Sequence, residues 1–270
     1  MSLRPLSYPE LGRAGRLGNQ LFEIASTVGL ARRNRMRPLF PADWEYREFF
    51  SCPDSWFGLP QPRMAHPTAY ARHLDRRCRG YLQDLSLWEG SEDEIRRAFA
   101  LSSAAQAVVD EEWDQHFASL RSPVCSVHVR RGDYATNPIG TLTTLPADYY
   151  IEALTILQPA SIVVFSDDLG WCKRNIPADV FYPGVARPVE HAQDYRTAPV
   201  LDWVDLGLQE RCDLHIISNS TYSWWGAWLG NKNPQRDVLY PSRWYGDELS
   251  SYIDFKLMIP PGWWEIPVRE

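Results

Sequence analysis

No apolar run in the 270 residues approaches the roughly 18–20 side chains that a bilayer helix needs. The opening Met1-Ser2-Leu3-Arg4-Pro5 lacks the apolar core of a secretory signal. Cysteine is sparse. Cys52, Cys78, Cys125, Cys172 and Cys212 are odd in number, widely separated and form no Cys-x-x-Cys pair. Such spacing argues against a disulfide framework or a cysteine zinc site and for reduced thiols. Positive charge is also in deficit: 28 Lys and Arg face 34 Asp and Glu, for a net charge of −6. A general nucleic-acid-binding surface is therefore not expected. Strong internal repeats and low-complexity segments are absent. The expectation is a cytoplasmic protein, with peripheral contact at the inner membrane face left open.

What is present suits a globular α/β protein. Hydrophobic residues make up 44% of the chain, enough for a large core in one large or two small domains. The 12 Trp and 13 Tyr suit stacking on sugar rings, although core packing is the commoner use of such residues. After Gly12, Gly15 and Gly18, the run Asn19 to Arg35 places Leu21, Phe22, Ala25, Val28 and Ala31 on one helical face. A Pro- and Arg-rich stretch follows from Pro38 to Arg79. Ser91 to Leu120 reads as helical, and Ser122-Pro123 is the expected boundary between domains 1–121 and 122–270. Beyond it, strand signals at 124–129, 162–165, 215–217 and 238–240 alternate with helical ones at 146–157 and 221–229. That order implies a parallel sheet covered by helices on both faces. Pro5 and Pro9 interrupt the residues that would supply a first strand.

Three clusters carry the chemistry. Val124–Val129 runs into Arg130-Arg131-Gly132-Asp133-Tyr134. Alternation along a strand puts His128 and Arg130 on one face, at the end where open α/β sheets bind ligands. A guanidinium fork there suits a phosphate or diphosphate; a buried strand closed by an ion-paired Arg pair is the plainer alternative. In the second cluster, Ser166-Asp167-Asp168 follows the buried strand 162–165. One carboxylate can accept both adjacent donors of a guanine edge, or Asp-Asp can cap the helix starting near Leu169. The third cluster, Ser218-Asn219-Ser220-Thr221-Tyr222-Ser223, enters a helix, where side chains and free N–H groups can converge on an anion. Trp224 and Trp228, four apart, are expected to be core. In the first half, Gly15-Arg16-Leu17-Gly18-Asn19-Gln20 turns directly into a helix but lacks the dinucleotide spacing GxGxxG. Asp-x-Asp, the usual carboxylate pair that holds Mn²⁺ or Mg²⁺ on a nucleotide sugar, occurs nowhere.

Taken together, GRLGNQLFEIAS at 15–26, GYLQ at 80–83, HVRRGDY at 128–134, FSDDLGWC at 165–172 and IISNSTYSWWGAWL at 216–229 resemble the α-1,2-fucosyltransferases, glycosyltransferase family 11, in their soluble bacterial form. HxRRGD-type strands also occur in related α-1,6- and protein O-fucosyltransferases, and the SNSTYSWWGAWL block favours the α-1,2 family. The resemblance implies a GT-B-type fold of two Rossmann-like domains facing a cleft. It implies GDP-β-L-fucose as donor, no metal or other cofactor, and inverting transfer to O2 of a terminal β-galactoside in a glycan or glycolipid. Arg130 would be the catalytic contact to the diphosphate. His128, Arg131, Asp133 and Asp167 or Asp168 would complete the donor side, with His128 and one of the aspartates near guanosine. Ser218, Asn219, Ser220, Thr221 and Ser223 would close on the phosphates. Gly18, Asn19 and Gln20 would lie on the fucose or acceptor side. Glu23 and Asp133 are both conceivable general bases. A fucosyltransferase of another linkage, and a silent glycan- or nucleotide-binding protein, are the alternatives.

Overall fold

A computed structural model describes residues 3–13, 15–59, 81–137, 140–184, 201–230 and 237–269. Residues 60–79 of the Pro- and Arg-rich stretch, and Gly80 of the GYLQ segment, lie outside the described residues. The chain divides into two compact units, Met1–Ala104 with Phe255–Pro260, and Ala105–Asp254 with Pro261–Glu270.

The first unit holds a three-stranded parallel sheet, β1 (Pro5–Ser7), β2 (Arg37–Pro41) and β3 (Phe57–Leu59), in that spatial order. Helix α1 (Leu17–Arg33) connects β1 to β2. Its expected apolar face is buried throughout: Leu21, Phe22, Ala25, Val28 and Ala31 are fully buried. The first strand that two prolines obscured does form, but as a three-residue edge. An edge position tolerates Pro5, because a missing N–H there interrupts no inner ladder.

The region Ser91–Leu120 is two helices rather than one, α2 (Glu92–Phe99) and α3 (Ser103–His116). The break has a tertiary cause: Leu101 forms an antiparallel bridge with Phe50, which pulls Ala100 into extended backbone at ψ 139°. The units part between Ala104 and Ala105, earlier than the 121/122 boundary expected from sequence, so most of α3 belongs to the second unit. Side chains account for this. Tyr182 donates to Glu112 Oε2 at 2.7 Å, Arg211 pairs with Asp110 at 2.6 Å, and Phe117 packs against Phe165 and Tyr182.

The second unit is a six-stranded parallel sheet. It contains β4 (Val124–Val129), β5 (Ser161–Ser166), β6 (Val180–Tyr182), β7 (Leu214–Ile216), β8 (Val238–Pro241) and β9 (Trp264–Ile266), in the order β6-β5-β4-β7-β8-β9. Helices α4 (Gly132–Ala135), α5 (Ala147–Leu157), α6 (Leu169–Asn175), α7 (Asp202–Arg211), α8 (Thr221–Gly230) and α9 (Asp247–Ser250) link or follow the strands. Val127, Val129, Val164 and Ile216 share one core cluster with Tyr149, Tyr150 and Ala153 of α5. Burying each such aliphatic side chain contributes roughly 1.5–3 kcal/mol. His128 stands opposite Phe165 in the β4–β5 register and so shares the other face. Among the described residues, no helix is long and apolar enough to cross a membrane.

Candidate active site

The polar residues of the second unit collect where β4, β5 and β7 end. His128 is 7% exposed, and its Nδ1 lies 2.8 Å from Ser218 Oγ. Its ring also meets that of Tyr222 at 5.5 Å. Burial lowers the imidazole pKa to about 4, with the Asp167 charge opposing that shift and Arg130 reinforcing it. His128 is therefore a neutral hydrogen-bonding group around neutral pH. Because the folded chain resists this proton, the group costs stability as pH falls below about 6.5 toward 4.

Arg130 and Arg131 are aimed by the aspartates. The Arg130 guanidinium meets Asp167 Oδ2 at 2.6 Å and also pairs with Asp133. Asp167 Oδ1 accepts the backbone N–H of Arg131 at 2.8 Å. Arg131 Nε reaches Asp168 Oδ2 at 3.2 Å, and its guanidinium lies 4.3 Å over the Trp171 ring. Asp168 Oδ1 takes the Trp171 N–H at 2.9 Å and thereby caps α6. That backbone bond, assisted by Arg131, holds its carboxyl below the usual carboxylate range. Gly132 is the residue that lets the turn close on Asp167, since an added Cβ would stand 2.7 Å from Asp167 Oδ2. Both aspartates are thus already engaged, and a guanine edge would have to share them. Asp168→Ala should remove the cap at a cost of about 1 kcal/mol. The corresponding fall in Tm, read by calorimetry, is about 2–4 °C; an unchanged Tm would deny the cap its role.

The third cluster joins the first. Ser218 Oγ sits 3.5 Å from Ser223 Oγ, and Ser223 Oγ donates to the Ser220 carbonyl at 3.1 Å. Asn219 is 1% exposed and donates through Nδ2 to the carbonyls of Thr143 and Trp244, at 2.8 and 2.9 Å. Its buried Oδ1 has no partner among the described residues. Tyr134, not singled out from sequence as a site residue, donates to the Asn219 carbonyl at 3.2 Å and so ties the HVRRGDY turn to this segment. Trp171, also not singled out, supports Arg131 from α6. Both fall inside segments that stand out in sequence for their charged residues, where an aromatic carries no sign of its partner. Trp224 and Trp228 stack at 6.0 Å and are core, as expected. The second unit therefore brings together His128, Arg130, Arg131, Asp133, Asp167, Asp168 and the 218–223 turn. An arginine fork beside hydroxyls and the start of a ten-residue helix suits a diphosphate.

The Gly18-Asn19-Gln20 segment lies in the first unit. Gln20 is 1% exposed and uses its amide internally: Nε2 donates to the Gly15 carbonyl and Glu45, and Oε1 accepts from Trp44 Nε1 at 2.8 Å. Asn19 is half-buried, with Oδ1 accepting from Gln83 Nε2 at 3.0 Å. Gly15 adopts φ +73°, and a Cβ there would stand 2.7 Å from Asn19 Cβ and 2.8 Å from Tyr81. Glycine is needed for both reasons.

The family model for glycosyl transferase family 11 matches residues 72–263. The O-antigen biosynthesis glycosyltransferase WbnK of Escherichia coli is 26% identical over 304 residues, covering 89% of this chain and 96% of that protein. The galactoside 2-alpha-L-fucosyltransferase SEC1 of Bos taurus is 27% identical over 249 residues, covering 80% of this chain and 62% of that protein. Among solved structures, the fucosyltransferase NodZ from Bradyrhizobium superposes with a TM-score of 0.52 at 16% identity, over 84% of this chain and 92% of NodZ. That is a likeness of fold, and the fold here is GT-B-like, α/β with parallel sheets. The match to the family model spans most of the chain, and this protein is a glycosyltransferase that belongs to family 11.

Proposed function

We propose that this chain transfers L-fucose from GDP-β-L-fucose to O2 of a terminal β-galactoside on a glycan or glycolipid, inverting the anomeric centre to α. The observation that carries the reading is Arg130, held at the end of β4 by Asp167 and linked through the same network to His128 and the 218–223 turn. Asp133, on the far side of Arg130, is half exposed. With the Asp133 carboxylate half in solvent the pair is partly screened, so an incoming diphosphate can compete for the guanidinium. Asp167 would then keep the fork aimed while Arg130 bonds the phosphate oxygens. Serines 218, 220 and 223, Asn219, Thr221 and the first N–H groups of α8 would complete the cradle. His128, neutral and bonded to Ser218, would fix that turn rather than shuttle a proton.

Chemically, the leaving GDP gains negative charge as the bond to fucose breaks. Preorganised donors can stabilise that charge without a metal, and the missing Asp-x-Asp supports a metal-independent route. The acceptor and linkage follow the galactoside 2-alpha-L-fucosyltransferase relative. Gly18 and Asn19 would serve the fucose or the acceptor, with Gln20 holding their loop. The test is GDP release from GDP-fucose with and without a β-galactoside, in excess EDTA. Acceptor-dependent release largely intact in EDTA is expected. Activity lost to chelation and restored by Mn²⁺ would overturn metal independence; no release with any acceptor would leave a binding protein.

A further inference from the structure

Arg130 and the 218–223 turn are separate pieces of the second unit, and one side chain touches both. Tyr134 lies four residues after Arg130, and the short turn of α4 brings its ring back beside the guanidinium. Arg130 Cζ stands 5.4 Å from the ring centroid, within the roughly 6 Å reach of cation–π attraction. The Tyr134 hydroxyl donates to the Asn219 carbonyl at 3.2 Å. Tyr134 is half-buried and the Arg130 side chain is 16% exposed, so solvent screens the contact only in part. Asp167 and Asp133 take the guanidinium nitrogens, and the tyrosine ring supplies a third contact to the group. The other end of the tether is firm as well. Asn219 is held by its own side chain on the Thr143 and Trp244 carbonyls. Those two segments are locked to each other: the Gly246 N–H donates to the Thr141 carbonyl at 3.0 Å, and a Cβ on Gly246 would run into the Gly140 carbonyl.

We propose that Tyr134 is a positioning residue, which holds the Arg130 fork and the 218–223 turn at the spacing a diphosphate needs. The proposal rests on the reading of Arg130 and that turn as the diphosphate site. The ring acts through Arg130. An arginine side chain has several rotatable bonds, and restraining it before the donor arrives spares part of the entropy of ordering it on binding. The hydroxyl acts on the turn through the Asn219 carbonyl, which lies between Ser218 and Ser220. Substitution separates the two contacts: Tyr134→Phe keeps the ring and removes the tether, whereas Tyr134→Leu removes both.

The test reads GDP affinity by calorimetry, and kcat/KM for GDP-fucose with lactose as acceptor, in the full-length protein. Tyr134→Phe should lower both by about two- to tenfold, the usual worth of one hydrogen bond. Tyr134→Leu should lower both by about a further three- to thirtyfold, the range of a partly desolvated cation–π contact. The same two substitutions are then made together with Arg130→Ala. In that background Tyr134→Phe and Tyr134→Leu should differ by less than about twofold, because the ring has lost the group it acts through. A ring with a purely structural role would cost the same in both backgrounds, and that result would overturn the proposal. Near-wild-type GDP affinity and kcat/KM in Tyr134→Leu would overturn it too, while wild-type GDP binding and transfer left the diphosphate reading standing. A wild type that neither binds GDP nor transfers fucose would remove that reading and the proposal with it.

Discussion

Arg130→Ala is expected to lower the transfer rate by about 10²–10³-fold, the usual cost of removing one preorganised group that stabilises developing negative charge. Arg130→Lys should recover little of it. One guanidinium nitrogen already meets Asp167 at 2.6 Å, and the other pairs with Asp133. A lysine ammonium cannot hold the Asp167 anchor and offer a second, fixed donor to a diphosphate at once. Removing the arginine also leaves Asp167 without its cation beside His128, so the variant's GDP affinity should fall together with the rate. Steady-state kinetics at saturating donor decide the matter, and a Lys variant with near-wild-type kcat would contradict a forked contact.

Asn19→Ala is expected to lower kcat by about 10²-fold with GDP affinity nearly unchanged. Misplacing reacting groups by about 1 Å is enough for a loss of that size. The proposed phosphate contacts all lie in the second unit, whereas Asn19 belongs to the first, held by Gln83 at 3.0 Å above the Gly15 turn. The role proposed for its side chain is to position the sugar or the acceptor hydroxyl while Oδ1 keeps the Gln83 bond. Calorimetry with GDP alongside kinetics separates the possibilities. Parallel loss of GDP binding and transfer would put this loop on the diphosphate instead.

Four of the six strands in the second unit, β4, β5, β7 and β8, were legible as short apolar runs between helical stretches, whereas the three-residue β6 and β9 carried no such signal. Val127 and Val129 alternate with Ser126 and His128, and the structure buries the two valines in one cluster as that alternation requires. The first unit was harder to read. Pro5 hid an edge strand that needs only three residues, and Pro38 and Pro41 disguised β2 as a loop. The helical signal of 91–120 gave no warning of the break at Ala100, because the bridge from Leu101 to Phe50 is a contact across about half a hundred positions.

At the site, the residue types were visible but their pairing was not. Asp167 and Asp168 read as base acceptors or a helix cap. Only the folded chain shows Asp168 capping α6 and Asp167 gripping both Arg130 and the Arg131 N–H. Gln20 likewise looks like part of a ligand loop in sequence, and its bonds to Gly15, Glu45 and Trp44 make it that loop's brace. Glu23 reads in sequence only as one conceivable base beside Asp133, and its burial and its bond from Tyr8 show only in the folded chain. Its partner Tyr8 carried no signal, since nothing local links a residue after an edge strand to the second turn of a helix.

Inverting fucosyl transfer to O2 of a galactoside is read from the isolated product by NMR. With GDP-β-L-fucose and lactose, the expected product carries an α-configured fucose whose anomeric proton correlates through the glycosidic bond to C2 of galactose. A β-anomer, or a correlation to any other galactose or glucose carbon, would contradict it.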